Sequence, residues 1–232
     1  MKKRRGRPPG RSQKGDETQA MLYDVAIRLF SERGYEATTM RAIAREADVS
    51  PGLLYRYFPS KPAVVMALYD ALSLQFERDA ASVDAGDWFS RVDGTLALSL
   101  RGLGPHRSTL RAVLPPMLAD PEVGLFSPAG SIGRSRVQGL FVKAVEDASN
   151  APDGDVARVV GRLWDMLQLG VILWWLLDRS PNQRATAGLR ALITSSGPAM
   201  SAALWMPGVA SVLEKLDGLI REALYGEVLP SP

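Results

Sequence analysis

Few side chains in this sequence are equipped for catalysis. Its 232 residues include one histidine, His106, and no cysteine, so thiolate metal sites, cysteine nucleophiles and the usual histidine-based triads and zinc sets have nothing to build on. The carboxylates form no recognisable pair, and the GSIG stretch at 130–133 is too short for a phosphate loop. No metal or cofactor is expected, and the chain does not read as an enzyme. What it does carry is cations in particular places. Seven lysines and arginines and no acidic residue mark the first fifteen positions, and up to Lys61 thirteen basic residues stand against seven acidic ones. The remainder has fifteen against eighteen. A positive amino-terminal region on a slightly acidic body is the footprint of a module facing a polyanion, with nucleic acid ahead of a membrane surface.

These cations need elements to hold them. Apolar residues recur at i, i+3, i+4 and i+7 throughout and never alternate for long, which predicts an all-α protein. Leu22, Val25, Ala26, Leu29 and Phe30 form the stripe of a first helix, which Gly34 ends in the left-handed conformation. Thr38 or Thr39 caps a two-turn second helix with Met40, Ile43, Ala44 and Ala47 on one face. Ser50 then caps a third short helix, 51–58, with Pro51 at its first position. Pro59 and Ser60 break and restart the chain into a longer helix marked by Val65, Leu68, Tyr69, Leu72 and Phe76. Further helices are expected over 87–101, 107–118, 133–147, 155–178, 182–194 and 207–225, with SSGPA among the breaks. The charged start lacks the apolar stretch of a signal peptide, so a cytoplasmic location beside the nucleoid is expected. The longest apolar run, 163–177, contains Asp165 and Gln168 and reads as a buried helix rather than a membrane span.

A packing helix, a two-turn helix, a tight turn and a second short helix make a helix-turn-helix, whose second helix lies in the major groove. Pro51 and Gly52 lack bulk and let the start of that helix approach DNA. Tyr55 and Tyr57 offer hydroxyls on rigid arms, and Lys61 adds a cation. Arg41 and Arg56 are arginines of the kind that can bond guanine bidentately. Tyr35 and Phe58 read as core.

The stretch AIRLFSERGYEATTMRAIAREADVSPGLLYRYFPSKPAVVMALYD closely resembles the DNA-binding domain of the TetR family of bacterial transcriptional regulators. The resemblance implies that Thr39 and Ser50 bind phosphate, that Arg41 reaches a base edge, and that Tyr55, Tyr57 and Lys61 hold the DNA backbone, and it makes Arg41 and Arg56 the expected base readers. Two departures stand out: Pro62 where an acidic residue is common, and Asp48 in place of the turn glycine, a mild change because Asp tolerates the left-handed region.

The resemblance further implies a helical carboxy-terminal domain that dimerises and binds a small, largely apolar effector. The expected division is a basic arm at 1–15, a helix-turn-helix domain at 16–62 and an effector and dimer domain at 63–232. Trp88, Met117, Phe141, Trp164 and Gln168 are candidates to line a ligand pocket, and Ile172, Trp175, Leu176, Leu189 and Leu192 to form the dimer interface. The implied function is a ligand-responsive repressor that binds a pseudo-palindromic double-stranded operator as a homodimer, without membrane attachment. The alternative is an architectural DNA-binding protein with no effector. In the arm, Arg5 and Arg7 of RGRP resemble the core of an AT-hook, which lies along a narrow minor groove.

Overall fold

Eleven α-helices and no strand make up the described residues, 13–119, 124–127 and 130–227 of a computed structural model. Arg5 and Arg7 lie outside them. The order is α1 (Gln13–Arg33), α2 (Met40–Glu46), α3 (Pro51–Tyr57), α4 (Lys61–Ala80), α5 (Trp88–Leu103), α6 (Arg107–Ala119), α7 (Ser131–Glu146), α8 (Gly154–Leu177), α9 (Arg184–Ser195), α10 (Gly197–Leu204) and α11 (Val209–Tyr225). The first helix already covers residues 13–15, so it begins before the expected end of the arm.

The expected punctuation accounts for the short helices. Gly34 has φ +84°, which only glycine adopts without strain, and it turns the chain out of α1. Thr39, not Thr38, caps α2 by accepting from the Ala42 amide at 3.1 Å. Thr38 is buried instead, and its hydroxyl donates to the Leu29 and Gly34 carbonyls. Asp48 takes φ +53°, the left-handed turn residue between α2 and α3. Ser50 and Ser60 cap α3 and α4 in the same manner as Thr39, with Pro51 and Pro62 in the first turns, where a missing N–H costs nothing.

Two apolar clusters hold the helices together. In the first, Leu22, Ala26, Leu29 and Phe30 of α1 meet Ile43, Leu54, Val64 and Leu68. That cluster continues into Val113 of α6 and Trp175 and Leu176 of α8. The second gathers Phe76, Trp88, Phe89, Val92, Leu96, Phe141, Trp164 and Leu204. Each fully buried side chain of this size contributes about 1.5–3 kcal/mol. Because α4 supplies Val64 and Leu68 to one cluster and Phe76 to the other, the division expected after residue 62 falls inside the first turn of a continuous helix. α2 and α3 are thus packed onto the body through a shared core.

α8 is long and apolar enough to cross a membrane by length and composition, but half of that stretch is buried in protein, and its middle is filled by Asp165. It packs most closely on α7, where a Cβ at Gly161 would stand 2.4 Å from the Val142 Cα. The SSGPA stretch, expected as a break, instead opens α10. Its Gly-Pro start sits in a helix's first turn, where proline is at home, and Gly197 is needed because a Cβ there would come 2.6 Å from the Phe89 ring.

Candidate nucleic-acid interface and interior cavity

On α2 and α3 the apolar face turns inward through Met40, Ile43, Ala44 and Leu54, and everything with chemical reach points away from it. Thr39, Arg41, Ser50, Pro51, Gly52, Tyr55 and Arg56 are exposed, Tyr55 at 49 %. Arg45, one helical turn from Arg41, shares that exposed face. Arg41, Arg45 and Arg56 form no ion pair with any described residue, whereas Arg28 and Arg33 of α1 both pair with Glu46, at 2.7 and 3.6 Å. Hydrogen bonding from Arg28 holds the Glu46 carboxyl below its usual range. The acid of α2 is therefore matched on the inner side, and the outer side stays cationic. Tyr57 is half-buried and packs against the first cluster, so it offers less to a partner than Tyr55. Lys61 is held in place: its Nζ donates to the Tyr35 carbonyl at 2.8 Å and lies 4.3 Å from the centre of the Tyr35 ring. Tyr35 and Phe58 are core, as expected, with Tyr35 tilted onto Phe30.

Between α4, α5, α7 and α8 lies a cavity of about 70 Å³. Leu72, Phe76, Leu98, Val137, Leu169 and Ile172 supply hydrocarbon, and Tyr69, Ser99, Arg134 and Gln168 supply polar groups. Arg134 (3 % exposed) and Asp165 (0 %) form a bidentate buried pair, one contact being 2.6 Å from Nη1 to Oδ1. Burial pushes the Asp165 carboxyl up against the pull of Arg134. The guanidinium resists desolvation because Asp165 raises it above its ordinary value. Burial also pushes the Tyr69 phenol up to about 12, so it remains a protonated hydroxyl. Gln168 (3 % exposed) donates through Nε2 to the Ser99 hydroxyl, while its Oε1 is buried with no partner.

The expected pocket residues do not converge. Of the five, Gln168 alone lines this cavity. Met117 belongs to the first cluster, Phe141 is sealed in the second, and Trp88 and Trp164 border a separate groove with Leu204 and Leu213. The expected interface residues also redistribute. Ile172 lines the cavity, and Leu189 packs on the second cluster. Trp175 and Leu176 are core and cannot form an outward surface. The Trp175 carbonyl accepts from Arg107, and its indole donates to Gln183 at 2.5 Å. Leu192 is exposed, at 66 %. The outward apolar groups of α8 are instead Leu173, Trp174 and Leu177.

Residues 22–68 match the family described as bacterial regulatory proteins, tetR family. The chain is 30 % identical over 194 residues to the HTH-type transcriptional repressor KstR of Mycolicibacterium smegmatis, covering 76 % of this chain and 87 % of that protein. It is 33 % identical over 172 residues to KstR of Rhodococcus jostii, covering 71 % and 75 %. The chain belongs to the TetR family. It is a DNA-binding transcriptional regulator of a family that is not enzymatic. The fold agrees along most of its length with solved structures: a TetR transcriptional regulator from Rhodococcus sp. RHA1 superposes with a TM-score of 0.57 at 21 % identity, covering 78 % of this chain and 96 % of that one. GusR of Salmonella enterica gives 0.54 at 24 %, covering 81 % and 98 %.

For this TetR-family chain, sequence reasoning named Arg41 and passed over Arg45, although the same helical period that buries Ile43 and Ala44 places both arginines outside. It also passed over Arg134 and Tyr69. A lone arginine in an amphipathic helix carries no mark of burial, and only its pairing with Asp165 across 31 positions reveals it.

Proposed function

We propose that the protein represses transcription as a homodimer on a pseudo-palindromic operator and is released by a small, largely apolar effector. The observation that carries the reading is the unpaired cationic face of Arg41, Arg45 and Arg56 beside Tyr55, mounted on two capped short helices with a rigid core behind them. In this reading α3 enters the major groove, Arg41 and Arg56 read base edges, and Thr39, Ser50, Tyr55, Tyr57 and Lys61 contact phosphates that fix the register. The protein then works in the cytoplasm, on the DNA of the nucleoid.

Dimerisation is supported by apolar groups left outside. Leu173, Trp174 and Leu177 of α8 and Val212, Leu216 and Leu219 of α11 are exposed on neighbouring helices. Together with Leu192 they are large apolar groups that a second copy could cover. An effector is supported by the cavity and by its place in the fold. α4 lines the cavity with Leu72 and Phe76 and begins at Lys61, next to α3. The cavity is smaller than the roughly 150 Å³ hole that admits benzene, so a larger ligand must push α4 outward. Two such reader units moved apart no longer match half-sites about one helical turn apart, which lowers operator affinity without touching the reading residues.

Footprinting on DNA upstream of the gene, with and without a library of apolar compounds followed by thermal shift, tests the reading. Two protected half-sites that vanish with a stabilising compound are expected. Binding that ignores sequence favours an architectural role, and operator binding that no compound disturbs removes the effector.

A further inference from the structure

The cavity's polar groups restrict what can occupy it. Among the described residues Arg134 is the one cationic side chain in its wall; its two terminal nitrogens donate to the two oxygens of Asp165, and its Nε is buried without a partner. The pair leaves no net charge for an anionic ligand to neutralise. A carboxylate entering here is desolvated against a cation that already has its partner, which is the costly arrangement for a buried charge. The rim adds to this, because Asp79 lies at it with Gln75 and forms no ion pair with any described residue. An ammonium group finds the Asp165 carboxylate already paired with Arg134.

The remaining demand is for hydrogen bonds. Gln168 is almost wholly buried, its Nε2 bonds Ser99, and its other amide atom faces the cavity unpartnered. The Tyr69 hydroxyl, in the same wall, is likewise buried without a partner. A hydroxyl group both donates and accepts, so it pairs with the Gln168 amide whichever end faces it and still accepts from Tyr69. An alkane does neither and leaves both groups unpaired, the expensive state for a buried polar atom. On the reading of this cavity as an effector site, we infer that the effector is an uncharged aliphatic alcohol: a hydrocarbon body among Leu72, Phe76, Leu98 and Ile172, with its hydroxyl on Gln168 and Tyr69.

The test uses the full chain and three probes of equal chain length: n-octanol, octanoate and octylamine. Isothermal titration is run on the wild type and on Gln168→Leu, and operator release is followed by fluorescence anisotropy. Octanol is expected to bind the wild type at least about tenfold more tightly than either charged probe, and to lose about tenfold or more in Gln168→Leu. Should that variant fail to fold, the ranking of the three probes on the wild type still decides. Octanoate or octylamine binding as well as octanol, an unchanged octanol affinity in Gln168→Leu, or no binding by any probe overturns the inference. If a charged probe releases the operator, the effector reading survives and its chemical class is wrong. If no compound of the wider library releases it, the effector reading itself fails.

Discussion

Arg41 and Arg28 show how position decides what an arginine does. Arg28 lies within 2.7 Å of Glu46 and serves to join α1 to α2, whereas Arg41 meets no carboxylate and keeps its fork for a partner. Arg41→Ala should therefore relax preference at one base-pair position, costing about 1–3 kcal/mol there, as measured by binding to operators mutated one position at a time. Lys61→Ala should weaken binding to all sequences alike and reduce the salt slope by about one, read from titrations at several salt concentrations. Its side chain is already oriented by the Tyr35 carbonyl and ring, so little ordering remains to be done on binding. Inside the body, removing one member of the Arg134–Asp165 pair strands a buried charge. Asp165→Ala should cost about 3–5 kcal/mol in urea unfolding, while the double variant Arg134→Met, Asp165→Leu should recover most of it.

At the scale of helices, contact between α7 and α8 rests on the absence of a side chain at Gly161. Gly161→Ala should force the helices apart and cost about 1–3 kcal/mol by thermal or urea unfolding. The turn from α8 to α9 depends on a carboxylate instead. Asp178 accepts from the Ser180 amide and from the Thr186 amide and hydroxyl, and these bonds, the Thr186 hydroxyl first, hold its pKa well below the usual value. A depressed folded-state pKa contributes stability that is present at neutral pH and lost as pH falls. Asp178→Asn should thus melt below the wild type at pH 7, and the gap should begin to narrow below about pH 4 and close only as pH falls through the depressed folded-state value.

Helix order is legible in the sequence because caps and breakers are local: Thr39, Ser50, Asp48 and Gly34 all act where the sequence places them. The reading surface is legible for the same reason, since a short helix with one apolar face has only one other face to offer. α8 is not legible in this way. It is apolar nearly all round, so sequence could not tell the inward Trp175 and Leu176 from the outward Trp174 and Leu177, which differ by one residue, or about 100° of rotation. The cavity is lined by residues far apart in the chain, Tyr69, Ser99, Arg134 and Gln168, and no local pattern encodes their meeting.

In the whole molecule these parts form one path. The cluster behind α2 and α3 runs on into α6 and α8, and α4 spans from the edge of α3 to the cavity wall, which is the route by which the proposed effector would act on α3. The proposed function also requires assembly, because on that reading each copy covers only half of a palindrome. Trp174→Glu, which places a charge on an exposed apolar group outside both clusters, should yield a folded monomer in sedimentation and weaken operator binding sharply. The most direct test of the central claim compares affinity for the operator and for random DNA at physiological salt, in the wild type and in Arg41→Ala. The wild type should prefer its operator by at least about 10³-fold, and the variant should lose part of that preference. Equal affinity for both DNAs in the wild type, or a preference untouched by Arg41→Ala, would contradict a sequence-reading role for the α2–α3 face.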